Sequence, residues 1–561
     1  MSQNQEKKSH TICIVQTTRI GDAIQTLMAA RELKRQHPTV KLIFVGRKSF
    51  CEPLSHNFKD IFDKFYLFDR REFFYSKTVK KPDLADVRNN LKDFFSQFEE
   101  DEIDVCINLS FSKTSGYLTS LIPCRHRLGL WRDKLSNLMV LDQWSQYVYS
   151  NVMRGTNCPF NLVDIYRFIL GAKSEYLLPH KPKKPEKNIV VHPFASNAKK
   201  CWTPNKWVEL IYQILKDNPE YKVTIMGSGA DTENADQITS SIVLAKYTQR
   251  IDNVVGTTSI REIQDTISRA SLFLGHDSMG GHLAAFEGVK TITLSLGSVR
   301  PHETTPYGDK NINITPKVKC FPCNLTDKCQ LLPCHGDISY QLVNYVVNAS
   351  LAGVDVNEKV LRENVPECHL GSANIYVSSL CASGICLDTV IKSETSVEDT
   401  FKVLYNIIWS YIFESKELNL PFPKLNENTY QHLVNYRKGI ESLFELNTFG
   451  EKFSTYILQD AQLEKPPIER IKENSDKLQE IDTLSFQLGG IYQLICPIID
   501  YFHVKKAFLK GHSILEISQN AILCYREENH ISSILHELID STLKENKDVK
   551  PKSETTEAVN N

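Results

Sequence analysis

No stretch of this sequence is apolar enough to span a bilayer. The longest near-apolar run, Leu488 to Ile499, is 12 residues and is interrupted by Gln493 and Pro497, well short of the ~18 residues a spanning helix needs. No transmembrane anchor is expected. Behind Lys7 and Lys8 there is no apolar segment of leader length, so the chain is expected to stay in the cytoplasm. An excess of one charge is also missing: 66 Lys and Arg against 67 Asp and Glu leave a net charge of −1. That balance gives no global field for gathering nucleic acid or an anionic bilayer, so no nucleic-acid partner is expected and any such binding needs a local patch. No internal repeat at solenoid spacing is visible. The 41% hydrophobic and 24% charged residues exclude wholesale disorder, and 561 residues, at ~100 to 200 per domain, imply three or four folding units.

What is present is a repeated strand-turn-helix alternation. Ile12 to Val15 reads as a buried strand, followed by a turn to Gly21 and a helix carrying Ile24, Leu27, Met28 and Leu33. Strand-like runs follow at Val40 to Gly46 and Ile103 to Leu109, the pattern of a parallel sheet covered on both faces. Residues 1–9 read as a flexible N-terminus and 10–180 as a first α/β domain. A proline-rich, charged connector lies at 181–187. A second α/β series occupies 188–350, with strands at Asn188 to His192, Val223 to Met226, Leu272 to Gly275 and Thr291 to Leu296, and a helix opening at Thr203-Pro204. Residues 351–542 read as a mainly helical extension with one strand pair near Ile375 to Val390, and 543–561 as a disordered tail. Two consecutive doubly wound α/β domains place a cleft at the carboxyl ends of their strands.

Four segments on strand-to-helix turns carry candidate chemistry. Gln16 to Asp22 ends in a glycine that permits close approach and a carboxylate, Asp22, that either caps the helix or serves as a base. Val191 to Pro204 brings Lys199 and Lys200 beside a helix start, which suits a diphosphate, although solvated surface lysines are the plain alternative. Met226 to Asp231 is a glycine turn with a carboxylate able to accept ribose hydroxyl protons. Gly275 to His282 presents Ser278, Gly280 and Gly281 at a helix start with His282 one turn inside, where a buried structural histidine is the alternative.

These residues resemble glycosyltransferase family nine, the nucleotide-heptose glycosyltransferases of lipopolysaccharide core. The resemblance rests on Arg19-Ile-Gly-Asp22, on Lys200 and Trp202 after a strand, on Gly227 to Asp231, and on Asp277-Ser278 followed by His282-Leu-Ala-Ala; it spans about residues 10–345. It implies a GT-B architecture, an acceptor-binding first domain and a donor-binding second one, and inverting transfer without a catalytic metal or other cofactor. By position it implies Asp22 as general base, Lys200 as a donor phosphate ligand, Asp231 as a ribose ligand, and Asp277, Ser278, Gly280, Gly281 and His282 as the donor loop. Two positions depart from the family pattern: Met279 intervenes before Gly280, and Asp231 replaces a longer Glu.

The implied partners are an ADP-heptose-like nucleotide sugar and a glycan or glycolipid acceptor at the cytoplasmic face of the inner membrane, with peripheral membrane contact and a protein partner for the C-terminal region as further candidates. Arg47, Lys48, Arg125, Arg127 and Arg132 are candidates for an anionic acceptor. Fifteen scattered cysteines favour reduced thiols. Cys320, Cys323, Cys329 and Cys334 form the one tight group, a candidate structural zinc or iron site, with unliganded thiols or disulfides as the alternative. Alternative functions are a noncatalytic scaffold derived from the same fold and a protein-modifying glycosyltransferase.

Overall fold

A computed structural model of the chain describes residues 10–73, 83–173, 183–324, 329–392 and 395–549. The N-terminal nine residues, positions 181–182 of the connector and positions 550–561 of the tail lie outside the described residues. Two compact units make up the chain: residues 1–145 with 160–390, and 146–159 with 391–561.

The first unit contains two sheets. In the first, β1 (Thr11–Gln16), β2 (Lys41–Arg47), β3 (Lys64–Phe68), β4 (Val105–Asn108), β5 (His126–Arg132) and β6 (Leu138–Val140) lie in the order β3-β2-β1-β4-β5-β6. All pair in parallel except β5 with β6. Cys13, Val15, Ile43, Val45, Phe68 and Cys106 are buried with Phe98, Ile103, Leu118 and Ile122 in one core, and each large apolar side chain there contributes ~1.5–3 kcal/mol. The helix Ile20–Gln36 follows β1 and buries Ile24, Leu27, Met28 and Leu33, as their spacing predicts.

In the second sheet, β7 (Glu186–His192), β8 (Lys222–Ile225), β9 (Ile251–Asn253), β10 (Ala270–His276), β11 (Thr291–Leu294), β12 (Ile312–Pro316), β13 (Ala373–Cys381) and β14 (Gly384–Thr389) are ordered β14-β13-β12-β11-β10-β7-β8-β9. The strands from β9 to β12 are parallel, whereas β13 and β14 pair antiparallel. The helix Pro204–Asp217 opens on its proline as expected and fully buries Trp207, Leu210, Ile211, Ile214 and Leu215. The strand pair read near residues 375–390 is present, but it extends this second sheet. Strand order reverses between β1 and β4 in one sheet and between β7 and β10 in the other, so the loops after β1, β7 and β10 open at the switch points where such sheets hold ligands. Two doubly wound sheets and a separate helical unit are the GT-B architecture with a helical extension.

The second unit is built on the long helices Val397–Glu414, Glu427–Ala461, Ile468–Ile491, Cys496–Ala507 and Ile514–Glu545. Leu543, at the start of the expected tail, is buried within the last of these.

Candidate active site

The loop after β1 is fixed from below. Thr17 N–H donates to Ser110 Oγ at 2.7 Å, and the buried Gln16 side chain donates to Thr26 Oγ1 at 3.3 Å. Asp22 stands in the first turn of the following helix, half-buried, and accepts from the Arg19 backbone N–H at 3.0 Å. The cap role therefore holds for one carboxylate oxygen, which orients the side chain at the strand's carboxyl end without excluding a base. Arg19 reaches the second sheet's loop, donating to Ser196 Oγ at 3.2 Å. A Cβ on Gly21 would lie 3.2 Å from His282 Cδ2, so glycine lets these two loops approach.

On the second sheet, Lys200 Nζ donates to Asp277 Oδ2 at 3.0 Å, with the side chains 16% and 11% exposed. Ser278 starts the helix Met279–Phe286 in extended backbone, but its hydroxyl does not cap the helix: Oγ lies 2.7 Å from His192 Nδ1. The N–H groups at that helix start thus remain aimed at the loop. His282 is buried, and desolvation outweighs the raising influence of Asp277 and Asp22 to hold its imidazole below the usual range. Burial likewise pushes His192 down to about 4 and His276 to about 3. His276 Nε2 accepts from Trp202 N–H at 2.9 Å while Nδ1 faces the Leu294 carbonyl at 3.2 Å, which fixes a neutral tautomer with the proton on Nδ1.

Some candidates have packing roles as well. A Cβ on Gly280 would meet Phe273 at 2.9 Å and His192 Nδ1 at 3.1 Å, and one on Gly281 would meet Pro306 at 3.0 Å. Asp231 accepts from Ser228 N–H at 2.8 Å and from Ser228 Oγ at 2.6 Å, closing its own glycine turn.

The five cations divide by sheet edge. Arg47, at the carboxyl end of β2, donates to Thr17 O at 2.5 Å and lies over the Phe50 ring; desolvation, and next the charge of Arg70, lower its pKa. Lys48 is 4.0 Å from Glu72. Arg132 ends β5 on the same edge. Arg125 precedes β5 at the opposite edge and pairs with Asp104 at 3.1 Å. Arg127 donates to the carbonyls of Thr119 and Ile122 at the end of the helix Lys113–Leu121. The structure thus brings Arg47 to the Asp22 loop and ties Arg125 and Arg127 elsewhere.

Of the cysteine group, Cys320 is exposed, Cys329 half-buried, and Cys323 and Cys334 buried. Burial, with the neighbouring Cys320 and Cys329 thiols, pushes Cys334 up. Among the described residues no three His, Cys, Asp or Glu side chains gather closely enough to hold a metal ion, so the four thiols as placed do not form a ready ligand shell. The expectation of reduced thiols fails for one pair: Cys381 and Cys386 are joined as a disulfide. They lie on the adjacent antiparallel strands β13 and β14, which bring them together across a short turn. His192 and Arg19 are the contributors that the sequence reading left without a role. Their partners, Ser278 and Ser196, are 86 and 177 residues away in sequence.

Residues 93–333 match the profile of glycosyltransferase family 9 (heptosyltransferase). The match includes Lys200, Asp231, Asp277, Ser278 and His282 and begins after Asp22. Lipopolysaccharide heptosyltransferase 3 of Escherichia coli (strain K12) is 22% identical over 297 residues, covering 50% of this chain and 80% of that protein. Among solved structures, E. coli ADP-heptose lps heptosyltransferase II is 18% identical, with a TM-score of 0.45 over 61% of this chain and 99% of that one. The family 9 glycosyl transferase from Veillonella parvula is 14% identical, with a TM-score of 0.46 over 61% and 98%. No helix among the described residues is long and apolar enough to cross a membrane.

Proposed function

We propose that this chain, a glycosyltransferase resembling family 9, moves heptose from an ADP-linked donor to a lipopolysaccharide core or related bacterial surface glycan, with inversion and without a metal in the chemistry. The observation that carries the reading is the meeting of the Asp22 loop with the end of β10, where Asp277 holds Lys200 from the loop after β7 and Gly21 packs beside His282 in the helix Met279–Phe286. Asp22 takes the proton from an acceptor hydroxyl as that oxygen bonds to the anomeric carbon. The bond from that carbon to the diphosphate breaks on the opposite face. Lys200 turns from Asp277 to the departing phosphates, and the N–H groups at the start of Met279–Phe286 stabilise the same charge. With its proton on Nδ1, neutral His192 donates to Ser278 Oγ and leaves the serine hydroxyl proton free for phosphate. Asp231 is the ribose ligand, released from Ser228, and Arg47, Lys48 and Arg132 are the acceptor-side cations.

The work is done at the cytoplasmic face of the inner membrane. The group of Cys320, Cys323, Cys329 and Cys334 is given no part in transfer, and its thiols as placed do not gather into a ligand shell for a structural metal. The test is a panel of nucleotide sugars scored by the shift in melting temperature, followed by transfer assays with the sugars that bind. ADP-heptose giving no stabilisation while another nucleotide sugar does would replace the donor; no stabilisation by any of them would favour a noncatalytic scaffold.

A further inference from the structure

The segment after β12 that carries the cysteine group clasps the Lys200 loop at both ends. His335, buried in the short helix Cys334–Asp337, lies with Nε2 2.9 Å from the carbonyl oxygen of Lys199. A carbonyl only accepts, so this nitrogen carries a proton and donates it. The backbone oxygen of His335 accepts from Lys206 Nζ, which also donates to Ile338 O at 2.9 Å and lies 5.1 Å from the centre of the Trp202 ring. The chain thus leaves His335 at Lys199, passes Lys200 and Trp202, enters the helix Pro204–Asp217 and returns to His335 at Lys206.

Lys199 and Lys200 share one tight turn, so what fixes the first carbonyl fixes where the second side chain starts. Asn197 opens that turn, its side chain accepting from Lys199 N–H at 3.0 Å and its carbonyl from Lys200 N–H at 2.9 Å. Gly297, at φ +63, comes so close that a Cβ there would lie 2.9 Å from Lys199 O. Its own carbonyl accepts from Cys323 N–H at 2.9 Å, which ties it to the cysteine segment. These holds are local or main-chain. The His335 bond is a side-chain contact across 136 positions of sequence, and a substitution can remove it alone.

We infer that His335 is a positioning residue for the donor diphosphate, holding the turn from which Lys200 reaches the phosphates. The inference rests on the reading of Lys200 as a phosphate ligand and extends it to a residue that touches neither donor nor acceptor. Lysine is a compact charge on a flexible four-carbon stem, and here it exchanges Asp277 for phosphate. During that exchange the backbone is what keeps the ammonium near the site. A loose turn would have to be ordered by the ligand at the expense of affinity. That expense falls on the phosphate contacts, of which a bare nucleoside has none to lose. The clasp gives the cysteine-bearing segment a part in binding that does not involve its thiols.

Calorimetry of the full chain with ADP and with adenosine tests this. His335→Ala is expected to weaken ADP about tenfold and adenosine by no more than about threefold. His335→Gln, whose amide N–H reaches about as far as Nε2, is expected to bind ADP within about threefold of the parent, and His335→Asn, one bond shorter, to lose as much as alanine. The glutamine and asparagine variants decide the matter where alanine lowers the unfolding temperature. Because His335 acts through Lys200, adding His335→Ala to Lys200→Ala should weaken ADP by no more than about a further threefold. Gly336→Ala, beside His335 with open space around it, should bind both ligands as the parent does. Failure of the underlying reading shows separately, as a Lys200→Ala variant with unchanged ADP affinity. With Lys200→Ala impaired, an unaltered His335→Ala, equal losses for ADP and adenosine, glutamine binding no better than asparagine, or additive losses in the double variant would overturn the inference.

Discussion

Lys200 and Asp277 form an ion pair at 3.0 Å in which neither side chain is more than one-sixth exposed. The cation proposed to receive a diphosphate is therefore already held, and binding exchanges one anion for another. Lys200→Ala is expected to weaken nucleoside diphosphate about 10- to 100-fold through loss of a charge-assisted contact. Affinity for the bare nucleoside should change by no more than about threefold, because no phosphate is present to lose the contact. Calorimetry with both ligands decides it, and equal losses for the two would remove Lys200 from the phosphate site.

Asp22→Asn isolates the proton-transfer role, because the amide oxygen still accepts from the Arg19 N–H and keeps the helix start intact. Single-turnover transfer is expected to fall ~100- to 10,000-fold with donor affinity unchanged. A rate within about threefold of the parent in the folded variant means that another group takes the proton.

Both sheets were legible because a strand buried on both faces and a helix with one apolar stripe leave local signatures. Cys13 to Val15, and Trp207 with Leu210, Ile211 and Ile214, are examples, and all are buried where their pattern places them. The strand-end loops were legible for the same reason, since glycine, proline and polar residues punctuate those runs. What escaped was set by pairing between distant segments. Nothing near His192 announces Ser278, and nothing near Arg125 announces that it precedes its strand at the edge away from Asp22. The turn from Cys381 to Cys386 and its strands are a local hairpin, but their attachment to β12 depends on residues more than 50 positions earlier.

Acid should destabilise the first unit through its buried histidines. Burial holds His192 at about 4 and His276 at about 3, against 6.5 for the exposed side chain. Between 6.5 and about 4 the unfolded chain binds more protons than the folded one. The stabilisation from neutral His192 is therefore complete above pH 6.5 and is lost as pH falls toward 4, a difference of roughly 3 kcal/mol. Urea denaturation across this window should show stability rising with pH, and His192→Asn should flatten the slope by up to one proton. Parallel curves for parent and variant would mean that His192 titrates alike in both states.

The Asp164 carboxylate is fully enclosed, and its partners come from both sheets' surroundings: Tyr307 Oη donates at 2.6 Å, Ile385 N–H at 2.9 Å and Arg167 at 3.1 Å, while Arg167 also donates to Ser383 O. Gly384 sits at the centre of this group with φ +124, and a Cβ there would fall directly on the Asp164 carboxylate. Neither side can yield without leaving buried charge unpaired. Gly384→Ala is therefore expected to cost about 3 kcal/mol or more, from strain and overpacking together. Gly336→Ala, where an added Cβ meets nothing within 4 Å, should change stability by less than about 0.5 kcal/mol. Urea denaturation of the two variants beside the parent measures both. If they unfold at the same urea concentration, the hairpin is not held through Asp164 in the way its geometry requires.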